Sequence, residues 1–231
     1  MARRPGGELA SRPLHFFWVC DCSGSMQAEG KIQSLNNAVR EAIPHMQQAA
    51  AENPNAQVLV RAIRFSSGAQ WHLAQPTPVA DFKWTDLTAD GVTDMGRAIG
   101  MLAEQLKIPP MTDRALPPVI VLISDGQPTD DFGQALKRLM EVPWAQRAVR
   151  IAIAIGDDAD QGPLRAFIGN SEVPVLQANT AEALVNYIRW ASTAVLRAAS
   201  SPTLPTQEGL SATALPIPAP TADGALRGEV W

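Results

Sequence analysis

The feature that most constrains this chain is a set of near-continuous apolar runs: "LHFFWVC" (14–20), "VLVRAIRF" (58–65), "PVIVLIS" (118–124) and "VRIAIAIG" (149–156). Strands that face water on one side alternate apolar with polar residues, whereas strands covered on both faces have no such need. The four runs therefore read as buried strands of a parallel sheet. "VPVLQA" (173–178) is a weaker fifth, and "AQWHLA" (69–74) reads as a short edge strand. Between them the period changes. Ile32, Leu35, Val39, Ile43 and Met46 recur at spacings of three and four, which predicts an amphipathic helix over about residues 31–52. Pro44 is expected to kink or split it. The same spacing predicts helices over 94–107, 132–141 and 180–198. Strands alternating with helices imply an α/β fold, a doubly wound, mostly parallel sheet flanked by helices, with one short antiparallel edge strand.

The predicted domain spans 13–199, preceded by an extension over 1–12. From 200 to 231 prolines recur without a sustained period, and a Pro-rich flexible tail ending in Trp231 is expected. Nineteen Lys and Arg against 23 Asp and Glu give a net charge of −4. That balance argues against nucleic acid and against an anionic membrane surface as partners. No apolar run approaches the roughly 20 residues that a membrane-spanning helix needs. Arg3 and Arg4 are followed by Pro13, His15 and Asp21, which interrupt any secretion-type apolar core. A cytoplasmic protein is expected. Cys20 and Cys22 are too close on an extended chain to close a disulfide easily, and are read as buried structural thiols.

In open parallel sheets, ligands bind outside the carboxyl ends of the strands. The first run ends in "DCSGS", which presents Asp21, Ser23 and Ser25. The run at 118–124 ends in Ser124, Asp125 and Gly126, followed by "QPTDD". Just before the helix at 94–107, "DGVTDMG" offers Thr93 and Asp94. These side chains form an all-oxygen set, which suits a hard cation such as Mg2+ or Mn2+. Two carboxylates roughly neutralise a divalent ion, and weakly donating hydroxyls leave it electrophilic. With the start of the first helix beside it, an incoming acidic group is the natural final ligand.

"DCSGS" resembles the D-x-S-x-S pattern of von Willebrand factor type A domains. Their metal-ion-dependent adhesion site adds a downstream threonine and aspartate, and Thr93 and Asp125 fall where that family places them. The resemblance spans residues 13 to about 198. It implies a metal site of Asp21, Ser23, Ser25, Thr93 and Asp125 that binds an acidic side chain of a partner protein; with no recognisable nucleophile–base pair in the sequence, a non-enzymatic module is expected. In that metal site Ser23 and Ser25 coordinate directly, Thr93 does so when the site is engaged, and the aspartates act directly or through water. "SDGQPTDDF" is most similar to the bacterial TerY-like group of tellurite-resistance and stress-response proteins. That likeness implies a Ser/Thr kinase and a PP2C-type phosphatase as partners. Trp84, Asp94 and Gln127 are candidates for the binding rim, with Asp94 either a second-sphere acceptor or a charge that weakens acidic ligands.

The alternative is a Mg-dependent phosphohydrolase with Asp21 as nucleophile. Such a reaction wants a second acid two residues on, where this chain has Ser23. No G-x-S-x-G elbow or phosphate-cradling glycine loop occurs. Thr129, Asp130 and Asp131 are expected to start the helix at 132, and Asp157, Asp158 and Asp160 to form a loop and cap. His15, His45 and His72 read as structural or surface residues, and Trp71, Trp144 and Trp190 as packing residues.

Overall fold

The computed structural model describes residues 11–53 and 56–200. Arg3, Arg4, nearly all of the expected extension, and the Pro-rich segment with Trp231 lie outside the described residues. The chain runs β1 (Arg12–Asp21), a 3-10 turn (Gly24–Gly30), α1 (Lys31–Ala51), β2 (Ala56–Ser66), β3 (Gly68–Pro78) and α2 (Met95–Gln105). It continues through β4 (Val119–Ser124), α3 (Phe132–Met140), α4 (Pro143–Arg147), β5 (Val149–Ile155), α5 (Gln161–Ile168) and β6 (Leu176–Ala178). It closes with α6 (Ala181–Trp190), a π-helical turn (Ala191–Val195) and α7 (Leu196–Ser200).

Among the described residues the strands form one sheet in the order β3-β2-β1-β4-β5-β6. All neighbours are parallel except the β2–β3 edge pair. Alternate residues of β1 serve opposite faces: Phe16, Trp18 and Cys20 pack with α1 and α6, while Phe17 and Val19 pack with α2 and α5. Burial on both faces is why this strand reads as an unbroken apolar run. Cys20 and Cys22 are free and buried. Burial raises the Cys20 pKa strongly and pushes that of Cys22 up to about 12, so both stay neutral thiols. No helix among the described residues is long and apolar enough to cross a membrane.

Four details differ from the sequence expectations. First, the edge strand β3 is not short: it has 11 residues, most of them half-exposed. Polar residues scattered along an edge carry no period, so its extent could not be read. Second, α1 runs unbroken through Pro44. The proline faces solvent, while Val39, Ala42 and Met46 on either side are buried, so packing holds the helix across the missing hydrogen bond. Third, the segment predicted as one helix over 180–198 contains a π-helical turn, where Ser192 and Thr193 hydroxyls donate to the carbonyls of Ile188 and Arg189. Fourth, Arg12 belongs to β1 and donates to the carbonyls of Arg114 and Ala115.

Candidate metal centre

The chain lays β2 on one side of β1 and β4 on the other. The carboxyl ends of β1 and β4 therefore flank the switch point, where an α/β sheet opens a crevice. Asp21 closes β1 and is fully buried. Its Oδ1 accepts from Ser23 N (2.8 Å) and its Oδ2 from Ser124 Oγ (2.5 Å), which in turn accepts from Gly126 N (2.9 Å). Burial pushes the Asp21 pKa up to about 6. The bonds from Ser124 and Ser23 pull the other way, and the nearby Asp125 charge adds to the rise.

Ser23 Oγ and Ser25 Oγ are 2.9 Å apart, and Ser25 Oγ donates to Asp125 Oδ2. Asp125 is 4% exposed, and its other oxygen, Oδ1, is buried without a hydrogen-bond partner. Asp21, Ser23, Ser25 and Asp125 are thus brought into one group by their own side chains. Thr93 joins through the backbone. Gly24 N donates to Gly91 O (2.9 Å), and Asp90 N to Cys22 O (2.7 Å). On the other side Thr93 N donates to Thr129 Oγ1 (3.1 Å), and Thr129 N to Thr93 O (2.9 Å). Glycine is required where the loops meet. Gly91 has φ +76°, and a Cβ there would lie 2.3 Å from Ser67 Oγ.

The three rim candidates have different settings. Gln127 is exposed. Trp84 is half-buried, donates from Nε1 to Asn36 Oδ1 (3.0 Å) and meets His72 and Phe82 edge-on, so its partners are none of the five site residues. Asp94 accepts from Gly68 N (2.8 Å) and Thr129 Oγ1 (3.3 Å), and pairs with Arg97 at 3.5 Å. It is an acceptor that holds the Thr93 loop.

Two residues with work at this site were misread from sequence. Asp131 caps α3, accepting from Gln134 N (3.0 Å). Thr129 and Asp130 do not cap α3: Thr129 holds Thr93, and Asp130 accepts from Gly96 N (2.7 Å) and Arg97 N (2.8 Å) at the start of α2. A "TDD" before a helix looks the same under local capping rules whichever helix it serves. Asp160 caps α5 as expected (Gly162 N, 2.8 Å), and its own N–H donates to Asp125 O (2.7 Å). The exposed Asp158 pairs with the buried Lys31 at 3.2 Å.

The residues present fit a divalent cation. An orphaned, buried carboxylate oxygen lies on Asp125, beside two hydroxyls and a second buried carboxylate. Such an all-oxygen, anionic set is what a hard cation takes. Among the described residues no three His, Cys, Asp or Glu side chains converge, so hydroxyls must complete the set.

No protein-family model matches this chain, and no curated protein does. Solved structures do. A von Willebrand factor type A protein from Catenulispora acidiphila superposes with a TM-score of 0.58 over 82% of this chain and 43% of its own, at 17% identity. The fold is that of a von Willebrand factor type A domain. The ArnB paralog VWA2 from Sulfolobus acidocaldarius gives a TM-score of 0.59 at 19% identity, covering 78% of this chain and 45% of that one. Proximal thread matrix protein 1 from the mussel byssus, solved with a zinc-occupied MIDAS motif, gives 0.60 at 18% identity over 82% and 47%. This chain spans less than half the length of each of the three. At such identities the likeness establishes the type A fold alone.

Proposed function

We propose that this type A domain is a non-enzymatic, metal-dependent protein-interaction module. Asp21, Ser23, Ser25, Thr93 and Asp125 would hold Mg2+ or Mn2+, and an acidic residue of a partner protein would complete the site. The observation that carries this reading is the buried, unpartnered Asp125 Oδ1 within a hydroxyl–carboxylate cluster at the sheet's switch point. A bound ion supplies an electrophilic centre that recognises a carboxylate. The mussel protein with zinc in its motif supports a divalent ion on this fold. The phosphohydrolase alternative is weakened by Ser23, which stands where such a reaction wants a second acid beside the Asp21 nucleophile.

A cytoplasmic setting, in a bacterial tellurite-resistance or stress-signalling system with a Ser/Thr kinase and a PP2C-type phosphatase, belongs to the same proposal. It rests on the sequence likeness of "SDGQPTDDF" and on two unpaired thiols. Titration calorimetry of Mn2+ and Mg2+ against the natural chain and Asp21→Ala tests the site. Binding is expected in the first and lost in the second. Capture of a kinase or phosphatase that requires the metal, and fails with Asp125→Ala, tests the partner.

A further inference from the structure

The start of α2 is capped by the wrong loop. Asp94 occupies its N-cap position but makes no side-chain cap; its carboxylate is turned to Gly68 N and Thr129 Oγ1. Two of the orphan N–H groups of α2 are satisfied by Asp130 instead, which follows Asp125 in the loop after β4 and holds Gly96 N at 2.7 Å and Arg97 N at 2.8 Å. The approach is close. A Cβ on Gly96 would lie 3.0 Å from both Asp130 carboxylate oxygens and from Asp131 O. Thr129 adds a reciprocal backbone link to Thr93, with N–H to Oγ1 at 3.1 Å and N–H to O at 2.9 Å. Five hydrogen bonds therefore join residues 93–97 to residues 129–130.

The stretch between Asp125 and this clamp has little slack. Gly126 is bonded to Ser124 Oγ, the Asp125 carbonyl accepts from Asp160 N, and Pro128 has its φ locked by the ring. We propose that Thr129 and Asp130 are positioning residues which fix Thr93 relative to Asp125, so that the two loops act as one rigid unit in holding a cation. This inference rests on the metal-binding reading above and assigns the residues that make it geometrically possible. Neither residue needs to touch the ion. Outer partners of this kind typically alter metal affinity 10- to 100-fold, because they set the orientation of a ligand that is otherwise free to turn.

The test compares Asp130→Ala and Thr129→Val with Asp131→Ala, which removes a cap from the same loop but serves α3. Two quantities are read: the Mn2+ dissociation constant by calorimetry, and amide hydrogen exchange in the metal-free protein. Asp130→Ala and Thr129→Val are expected to weaken Mn2+ about 10- to 100-fold and to accelerate exchange at Thr93, Gly96 and Arg97. Asp130→Asn, which keeps one acceptor, should fall between them and the natural chain. Asp131→Ala should leave Mn2+ affinity unchanged and accelerate exchange only at the start of α3. Equal losses of Mn2+ affinity in Asp130→Ala and Asp131→Ala would overturn the proposal, as would unchanged exchange over 93–97 in Asp130→Ala. A natural chain that binds no Mn2+ would remove the metal reading, and the exchange measurement would then decide by itself whether the clamp holds Thr93.

Discussion

Ser25 donates its hydroxyl proton to the Asp125 carboxylate across 100 residues of sequence, and the second Asp125 oxygen is left buried and unpartnered. Asp125→Asn keeps an acceptor for Ser25 but loses the charge. Mg2+ at a hundredfold excess over its dissociation constant should stabilise the natural chain by about 2.7 kcal/mol. The same addition should leave the melting temperature of Asp125→Asn unmoved. Differential scanning calorimetry with and without Mg2+, and after chelation, reads both.

The buried Asp21 carboxyl makes stability depend on pH in an unusual direction for an aspartate. Its folded pKa lies near 6, above the ordinary 3.8, so the folded state holds the proton more tightly than the unfolded chain. The contribution is fully present below about pH 3.8 and is lost as pH rises to about 6. Two pKa units correspond to about 3 kcal/mol at most. Metal-free Asp21→Asn should therefore be more stable than the natural chain at pH 7.5. Buried His15, its pKa lowered to about 4, pulls the absolute slope the other way. The quantity to read is therefore the urea stability of the variant minus that of the natural chain, which should grow from pH 4 to 7.5. Metal affinity should rise over the same window as the proton leaves.

Gly126 follows Asp125 with φ +79°, and a Cβ there would sit 1.9 Å from Asp160 O. Backbone atoms cannot move aside as a side-chain tip can. Gly126→Ala should cost about 2–4 kcal/mol from left-handed strain and the clash together. It should also displace the Asp125 loop, so metal affinity falls along with the urea midpoint. Gly133→Ala, inside α3 with only a 4.0 Å contact, should leave metal affinity unchanged and raise the urea midpoint slightly, as alanine for glycine does in a helix.

Asn36 in α1 fixes the loop that carries Trp84. Its Oδ1 accepts from Trp84 Nε1 (3.0 Å) and Leu87 N (2.8 Å), and its Nδ2 donates to Leu87 O (2.9 Å). Asn36→Ala leaves all three groups without that partner, a loss of about 2–4 kcal/mol. A shift in tryptophan emission before the global unfolding transition would show the loop released first.

The layered α/β fold and the Asp-Ser-Ser loop were legible in the sequence because both are local. Strand runs such as 14–20 and the helix through Ile32, Leu35 and Val39 follow from apolar periodicity, which depends only on neighbours in the chain. The candidate residues of "DCSGS", Thr93 and Asp125 could be singled out because each stands at a strand end or a helix start and matches the type A pattern. What only the tertiary structure decided is which of these ends meet. Strand order places β1 beside β4 and sets Ser124 on Asp21; no spacing in the chain carries that information. Thr129 and Asp130 show the same division. Their composition announces a helix cap, but a carboxylate caps whichever orphan N–H groups the fold brings within 3 Å, and here those belong to α2. The periodicity that builds each element is a short-range property, whereas the hydrogen bonds that assemble the site join residues up to 103 positions apart.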